Sequence, residues 1–242
     1  MDFTGAGFVV TGAGSGIGKS CVNKLLDNGA MVAGFDLIPP QIASPRFRGF
    51  ALDVRDEEGV GRCIQAARSD FGTIRGLVNA AGIFAASRPF YELSVEEWDK
   101  VISTNLAGVF FCAKYAARAM IGEGRGKIVN IGCIRSRVVR PNMAEYAASK
   151  GGVAALTAAM AVDLAAFNIQ VNSVAPGFTM TGMTEKIFAD PDVRRTREQQ
   201  VPMGRIAHPD DIAGAVLFLL SPASDYVTGQ TIFVDGGFTA SK

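Results

Sequence analysis

The run TGAGSGIG at residues 11–18 begins as the apolar run GFVVT ends, and it constrains this chain more than any other feature. An extended segment has to stop there and a helix begin, with the backbone turning tightly between them. Glycines at 12, 14, 16 and 18 let the main chain pass close to a pyrophosphate. The helix amino terminus behind them offers free N–H groups and partial positive charge to such an anion. Taken alone, the same run is equally a tight strand-to-helix turn with no ligand.

The rest of the chain repeats that rhythm. Seven short runs rich in Val, Ile and Phe read as buried parallel strands: GFVVT, MVAGFD, GFALDV, GLVNAAG, GKIVNIG, IQVNSVAPG and TIFVDGG. Between them lie stretches with helical spacing, at Ile17 to Asn28, Asp56 to Phe71, Val95 to Met120, Ala144 to Phe167 and Pro209 to Leu220. Strand then helix, repeated, predicts an α/β fold: a doubly wound parallel sheet of about seven strands with helices on both faces. With 242 residues, 48% of them hydrophobic, residues 1–242 are expected to form a single domain. Residues 178–203 break the rhythm with mixed Thr, Met, Arg and Gln content after a strand end. They are expected to form a lid over substrate, or else a surface helical insert.

Charge and cysteine usage narrow the partners. Lys+Arg 24 against Asp+Glu 23 leaves a net charge of +1, which argues for neither nucleic acid nor an anionic membrane surface. Cys21, Cys63, Cys112 and Cys133 are far apart, and with the single His208 they form no metal-binding spacing, so no metal is expected. No apolar run reaches about 18 uninterrupted residues and no leader-like segment opens the chain, so a soluble, cytoplasmic protein is expected. His208, ahead of Pro209, reads as a helix cap, and Trp98 as a packing anchor.

Further signals follow in chain order. MVAGFD places Asp36 about 20 residues beyond the glycine loop, where a carboxylate accepts from both ribose hydroxyls and repels a 2′-phosphate. Ser15 brings no cation for that phosphate, so the expected cofactor is NAD rather than NADP. Asp53 and Val54 close the third predicted strand, Asp53 being able to accept from an adenine amino group. Asn79, Ala80, Ala81 and Gly82 close the fourth, where small residues leave room for the adenosine ribose. Tyr146 and Lys150, in EYAASK, lie one helical turn apart on a shared face. An ammonium beside a phenol lowers its pKa from about 10 toward working pH, where it can exchange a proton with an alcohol. Beside a nicotinamide, that pair is the apparatus of hydride transfer.

TGAGSGIG, LDV, NAAG, TNLAG, KIVNI, YAASK, VNSVAPG and VTGQTIFVDGG, in that order, resemble the short-chain dehydrogenase/reductase family over essentially the whole length. The resemblance implies a single Rossmann-type domain, a small-molecule alcohol or ketone substrate and a homotetramer. It also implies that Gly12, Ser15, Gly16, Ile17 and Gly18 hold pyrophosphate and ribose, and that Asp36 and Leu37 flank the adenosine. Asp53 and Val54 would contact adenine, and Asn79, Ala80 and Gly82 the adenosine side. Pro176 and Gly177 would pack near the nicotinamide, with Thr179 and Thr181 on its carboxamide. Tyr146 would be the acid/base, Lys150 would hold the nicotinamide ribose, and Asn105 would anchor a water in the proton relay.

The chain departs from the family pattern at one position. A serine is expected 13 residues before the tyrosine, and Cys133 stands there. A thiol is a weaker donor to a developing alkoxide, and losing such a donor costs on the order of 3 kcal/mol. Three readings are open: a natural substitution in a slower enzyme, a replacement introduced to cripple turnover, or a hydroxyl supplied instead by Ser136. Arg135, Arg137 and Arg140 follow, and Arg140 is the candidate for meeting an acidic substrate alongside Cys133 and Tyr146, against the alternative of arginines facing solvent or a subunit. MDFTG, GFD, LVNAAGI and RPNM are similar to the dihydro-dihydroxybenzoate dehydrogenases, and the same features occur among sugar-alcohol and 3-oxoacyl reductases. Phe84, Phe90, Phe178, Met180 and Met183 are candidate apolar walls. The expected function is NAD-dependent interconversion of a secondary alcohol and its ketone, the substrate a cyclic diol, sugar alcohol or hydroxy acid. The alternative is a dinucleotide-binding protein with little turnover, because Cys133 occupies the donor position.

Overall fold

The computed structural model describes residues 1–84 and 86–242. Seven strands form one parallel sheet in the order β3-β2-β1-β4-β5-β6-β7. They are β1 (Gly7–Thr11), β2 (Met31–Asp36), β3 (Phe47–Ala51), β4 (Gly76–Asn79), β5 (Gly126–Ile131), β6 (Ile169–Pro176) and β7 (Thr231–Val234). The chain steps outward from β1 to β3, then returns to place β4 against the other side of β1. In open sheets of this kind, ligands bind where the strand order reverses, outside the carboxyl ends.

Register brings those ends together. Thr11 pairs with Phe35 on one side and Asn79 on the other, Asn79 with Asn130, Ile131 with Val174, and Pro176 with Val234. Residues that follow these positions therefore crowd along one edge. Thr11 locks two of the ends directly, its Oγ1 accepting from both Ala80 and Ala81 N–H at 3.0 Å.

Helices cover both faces, and strand alternation shows how. Phe8, Val10, Val32, Val78, Val129 and Val174 pack with Cys21, Val22 and Leu25 of α1 (Gly16–Asp27) and with Ile212, Val216 and Leu219 of α8 (Pro209–Leu220). Val9, Ala33, Phe35, Leu77, Ile128 and Val171 point the other way. They meet Val60 and Ile64 of α2 (Glu57–Phe71), Cys112 and Met120 of α4 (Gly108–Ile121), and Leu164 of α5 (Ala144–Leu164). Each large apolar side chain buried in these layers contributes roughly 1.5–3 kcal/mol. Two short helices, α6 (Glu185–Phe188) and α7 (Pro191–Gln200), lie within the 178–203 segment.

Two boundaries and one side chain differ from expectation. The third strand pairs only as far as Ala51, so Asp53 and Val54 lie beyond it, in a turn leading to Asp56, whose side chain caps α2. The expected helix from Val95 to Met120 is broken: α3 (Val95–Ile102) passes into a π-helical turn over Ser103–Ala107 before α4 begins. The wider turn carries Asn105. Trp98 is 40% exposed and is no packing anchor, because the helix turns its apolar stripe at Val101 inward instead. His208 does cap α8, with Asp211 completing the reciprocal pair. Residues 144–167 form one apolar helix that, by length and composition, is long enough to cross a membrane, though its run is not uninterrupted. That helix packs Ala161 and Leu164 into the core and carries Tyr146 and Lys150 to the sheet edge.

Candidate active site

A cleft of about 420 Å³ opens along the carboxyl edge of the sheet. Its wall includes Gly12, Ser15, Gly16, Ile17, Gly18, Asp36, Leu37, Asp53, Val54, Ala80 and Gly82 at one end. Cys133, Arg140, Tyr146, Lys150, Pro176, Gly177, Thr179 and Thr181 complete it. Of the positions predicted for cofactor binding and catalysis, Asn79 and Asn105 do not line the cleft and stand behind the wall.

The glycine end fits a dinucleotide. Gly12 has φ 66°, and a Cβ there would meet Ala81 N at 2.8 Å; one on Gly18 would overlap the Gly12 carbonyl oxygen. Only glycine lets strand, turn and helix pack this closely beside an anion site. Asp36 Oδ2 accepts from Gly14 N–H at 2.9 Å and Oδ1 from Leu37 N–H at 2.8 Å, which fixes the carboxylate on the rim of the loop. Asp53 has an occupant already: Arg55 Nη2 donates to it at 2.6 Å and Arg55 Nε at 3.0 Å, and this bonding lowers the carboxyl pKa. Thr181 reaches across from the far side, its Cβ lying 3.2 Å from where a Cβ on Gly16 would stand.

The two asparagines hold main chain and neighbours. Asn79 is 2% exposed and its Nδ2 donates to Asn130 Oδ1 at 2.9 Å, so its side chain braces adjacent strands rather than facing the cleft. Asn105 is fully buried; its Oδ1 accepts from Ile83 N–H at 2.8 Å, while Nδ2 donates to Ile83 O at 3.0 Å and Ser149 Oγ at 3.3 Å. That amide clamps the loop after β4 on both the Ile83 N–H and its carbonyl. It sits close to Lys150: a Cβ on Gly82 would lie 3.2 Å from Asn105 Oδ1 and 3.9 Å from Lys150 Nζ.

At the other end, α5 presents Tyr146, 8% exposed, and Lys150, 6% exposed, into the same space. Lys150 Nζ donates to Ile131 O at 2.8 Å and lies 5.8 Å from the Tyr146 ring centroid. Burial pushes the phenol pKa well up, and the neighbouring Cys133 pushes the same way. Arg135 opposes this shift, a cation that the four-residue spacing of Tyr146 and Lys150 does not reveal. Lys150 is itself drawn down by burial, with Cys133 opposing. The thiol therefore sits between phenol and ammonium electrostatically, where the serine of the family pattern would stand.

Other side chains resolve sequence alternatives. Ser136 donates to Cys133 O at 2.8 Å within a short 3₁₀ turn and does not line the cleft, so it does not replace the missing hydroxyl. Arg137 lies over Phe233 at 5.8 Å from its centroid and is exposed, whereas Arg135 and Arg140 face the cleft. Phe84, Phe178 and Met183 line it; Phe90 is 72% exposed and Met180 lies elsewhere. Arg197 from α7 and Glu145 went unnoticed in the sequence. Glu145 is fully buried, and its Oε1 accepts from Ala86 N–H at 2.8 Å, tying the loop after β4 to the start of α5. Nothing in a single sequence shows which arginine of PDVRRTREQQ turns inward.

Known proteins agree with this arrangement. A family model described as enoyl-(acyl carrier protein) reductase matches residues 12–239. The chain is 40% identical over 240 residues to a cis-4-hydroxycyclohexanecarboxylate dehydrogenase of Sinomonas cyclohexanicum, covering 96% of each. It is 39% identical to a gluconate 5-dehydrogenase of Gluconobacter oxydans, covering 100% of this chain and 97% of that one. The ligand-free aldohexose dehydrogenase of Thermoplasma acidophilum superposes with a TM-score of 0.90 at 30% identity, covering 97% of this chain and 94% of the other. With the glycine loop, the Tyr146–Lys150 pair and the seven-stranded sheet in these places, the chain belongs to the short-chain dehydrogenase/reductase family of oxidoreductases, which act on CH–OH groups with a nicotinamide dinucleotide.

Proposed function

We propose that this enzyme uses NAD to interconvert a secondary alcohol and its ketone, the substrate being a cyclic diol, a sugar alcohol or a hydroxy acid. One observation carries the reading: a buried phenol, Tyr146, shares a single cleft with a glycine loop whose rim bears the Asp36 carboxylate. Asp36 supports NAD over NADP, since its charge would repel a 2′-phosphate. The relatives named for cis-4-hydroxycyclohexanecarboxylate and gluconate support a hydroxylated small molecule.

A bound nicotinamide supplies the hydride acceptor or donor; the chain supplies proton handling and orientation. Gly12, Ser15, Gly16, Ile17 and Gly18 would hold the pyrophosphate and ribose, with Leu37, Val54, Ala80 and Gly82 around the adenosine. Pro176, Gly177, Thr179 and Thr181 would bound the nicotinamide. In oxidation Tyr146 takes the hydroxyl proton, and in reduction returns it. Lys150, between the Ile131 carbonyl and the phenol ring, supplies positive charge and a donor to the cofactor ribose. Cys133 faces the same oxygen with a weaker donor than serine would offer. The 178–203 segment is the substrate lid in this reading, supported by Phe178, Met183, Ile187 and Arg197 in the cleft wall. We read the assembly as a homotetramer, supported by Phe110 and Val162 exposed on α4 and α5.

Cys133 also favours a second reading, a dinucleotide-binding protein with little turnover. The experiment that separates them follows NADH formation from NAD, and NADPH formation from NADP, with cyclic diols, sugar alcohols and hydroxy acids. Turnover on any of them with NAD preferred is expected; tight NADH binding with no turnover, even in Cys133→Ser, would favour the second reading.

A further inference from the structure

We propose that the reaction end of the cleft holds a carboxylate site built from Arg135, Arg140 and Arg197, and that the substrate alcohol carries a carboxylate seated there. The inference rests on the oxidoreductase reading above and narrows its substrate class to hydroxy acids.

The three guanidiniums come from separate places in the fold: the 3₁₀ turn after β5, the approach to α5, and α7. All three line the cleft that contains Tyr146. Arg135 and Arg197 both pack on Phe178, with Cζ 5.7 and 5.4 Å from the ring centroid, which fixes two cations around one ring. Their known bonds are few. Arg135 donates to Val138 O, Arg140 to Met143 Sδ and Arg197 to Gln200 Oε1, leaving most of five N–H donors on each unspent.

None of the three has a carboxylate within 4.0 Å among the described residues. The contrast within α7 is direct, because Arg194 pairs with Glu198 and Arg195 with Asp192 while Arg197, facing inward, has no acid. Arg135 is only 8% exposed, and a buried cation without a counter-charge is costly. Mutual repulsion adds to that cost: burial and the neighbouring arginines lower the pKa of Arg135, and burial and Arg197 that of Arg140. Among the described residues, the acids in the cleft wall are Asp36 and Asp53, both at the glycine end, and Asp53 is taken by Arg55. An anion brought by the ligand balances this charge. Planar forks with spare parallel donors suit a carboxylate. The Phe84, Phe178, Met183 and Ile187 walls suit a hydrocarbon body joining that carboxylate to the hydroxyl at Tyr146.

The test titrates the NADH-loaded enzyme with cyclohexanecarboxylate, benzoate and hexanoate, each beside its uncharged amide, by calorimetry. At least one acid is expected to bind ten- to hundredfold tighter than its amide. Arg197→Gln and Arg140→Gln should erase most of that preference while NADH and amide affinities stay within about twofold. Arg135, the most buried, is left intact to spare the fold. Equal binding of acid and amide across all three pairs, or a preference that survives in both variants, overturns the carboxylate site while leaving the oxidoreductase reading standing. If NADH does not bind at all, that reading fails and this proposal with it.

Discussion

The two ends of the cleft are built from different materials. At the glycine end the groups facing the cleft are main-chain N–H groups, a helix terminus and the Asp36 carboxylate from β1, α1 and β2, with Asp53 beyond β3 already paired to Arg55. At the reaction end they are side chains, a phenol, a thiol, an ammonium and three guanidiniums, gathered from the segment between β5 and α5, from α5 itself and from α7. The backbone site depends on space that only glycine leaves at Gly12 and Gly18, whereas the side-chain site changes its chemistry with each substitution. Cys133, the departure from the family pattern, falls at the side-chain end.

The sharpest way to break the comparison is Tyr146→Phe. Removing the phenolic oxygen should lower kcat by about 10³-fold or more, with NADH affinity unchanged in a fluorescence titration. A matching loss of NADH binding would mean that the two ends are not separable. Next, Cys133→Ser should raise kcat by up to about a hundredfold by restoring the stronger donor. The same change tests pH dependence. Oxidation needs the deprotonated phenol, and with the Tyr146 pKa raised, kcat/KM for oxidation should climb through the alkaline range. Since Cys133 contributes to that raise, the serine variant should move the climb to lower pH; an unmoved profile would show that burial alone sets it.

Behind the wall, Asn105→Ala should cost about 2–3 kcal/mol of stability by leaving the Ile83 N–H and carbonyl unpaired, read as a lower urea midpoint with unchanged slope. The smallest effect expected is at the glycine end. Asp36→Asn should shift the kcat/KM ratio of NAD over NADP by about tenfold toward NADP without altering the pH profile. A shifted pH profile would couple the ends.

How much was legible in the sequence divides along the same line. GFVVT and MVAGFD match β1 and β2 residue for residue, and seven strands were evident, because buried parallel strands are continuous apolar runs. The glycine loop was legible because its parts are contiguous. LDV was read as strand, but ladder pairing stops at Ala51, which is decided by the neighbouring strand rather than by the apolar run itself. The π-turn around Asn105 was invisible: STNLA carries no breaker, and the wider winding reflects a tertiary clamp on Ile83. Arg197 was missed and Arg135 passed over for Arg140, since helical charge says nothing of facing until α7 is set against Phe178. The electrostatics of Tyr146 are only partly legible for a related reason. Spacing brings Lys150 one turn away, but its ammonium is held by Ile131 O, and Arg135 arrives from another segment.

The clamp on Ile83 also bears on time. Residue 83 lies in the loop after β4, where amide hydrogens ordinarily exchange freely, yet its N–H is held by the amide of a fully buried side chain. Its deuterium uptake should follow opening of the helices that carry Asn105 rather than loop motion. The cleft floor is thus preorganised during folding, so a ligand meets a surface whose conformational entropy has already been lost.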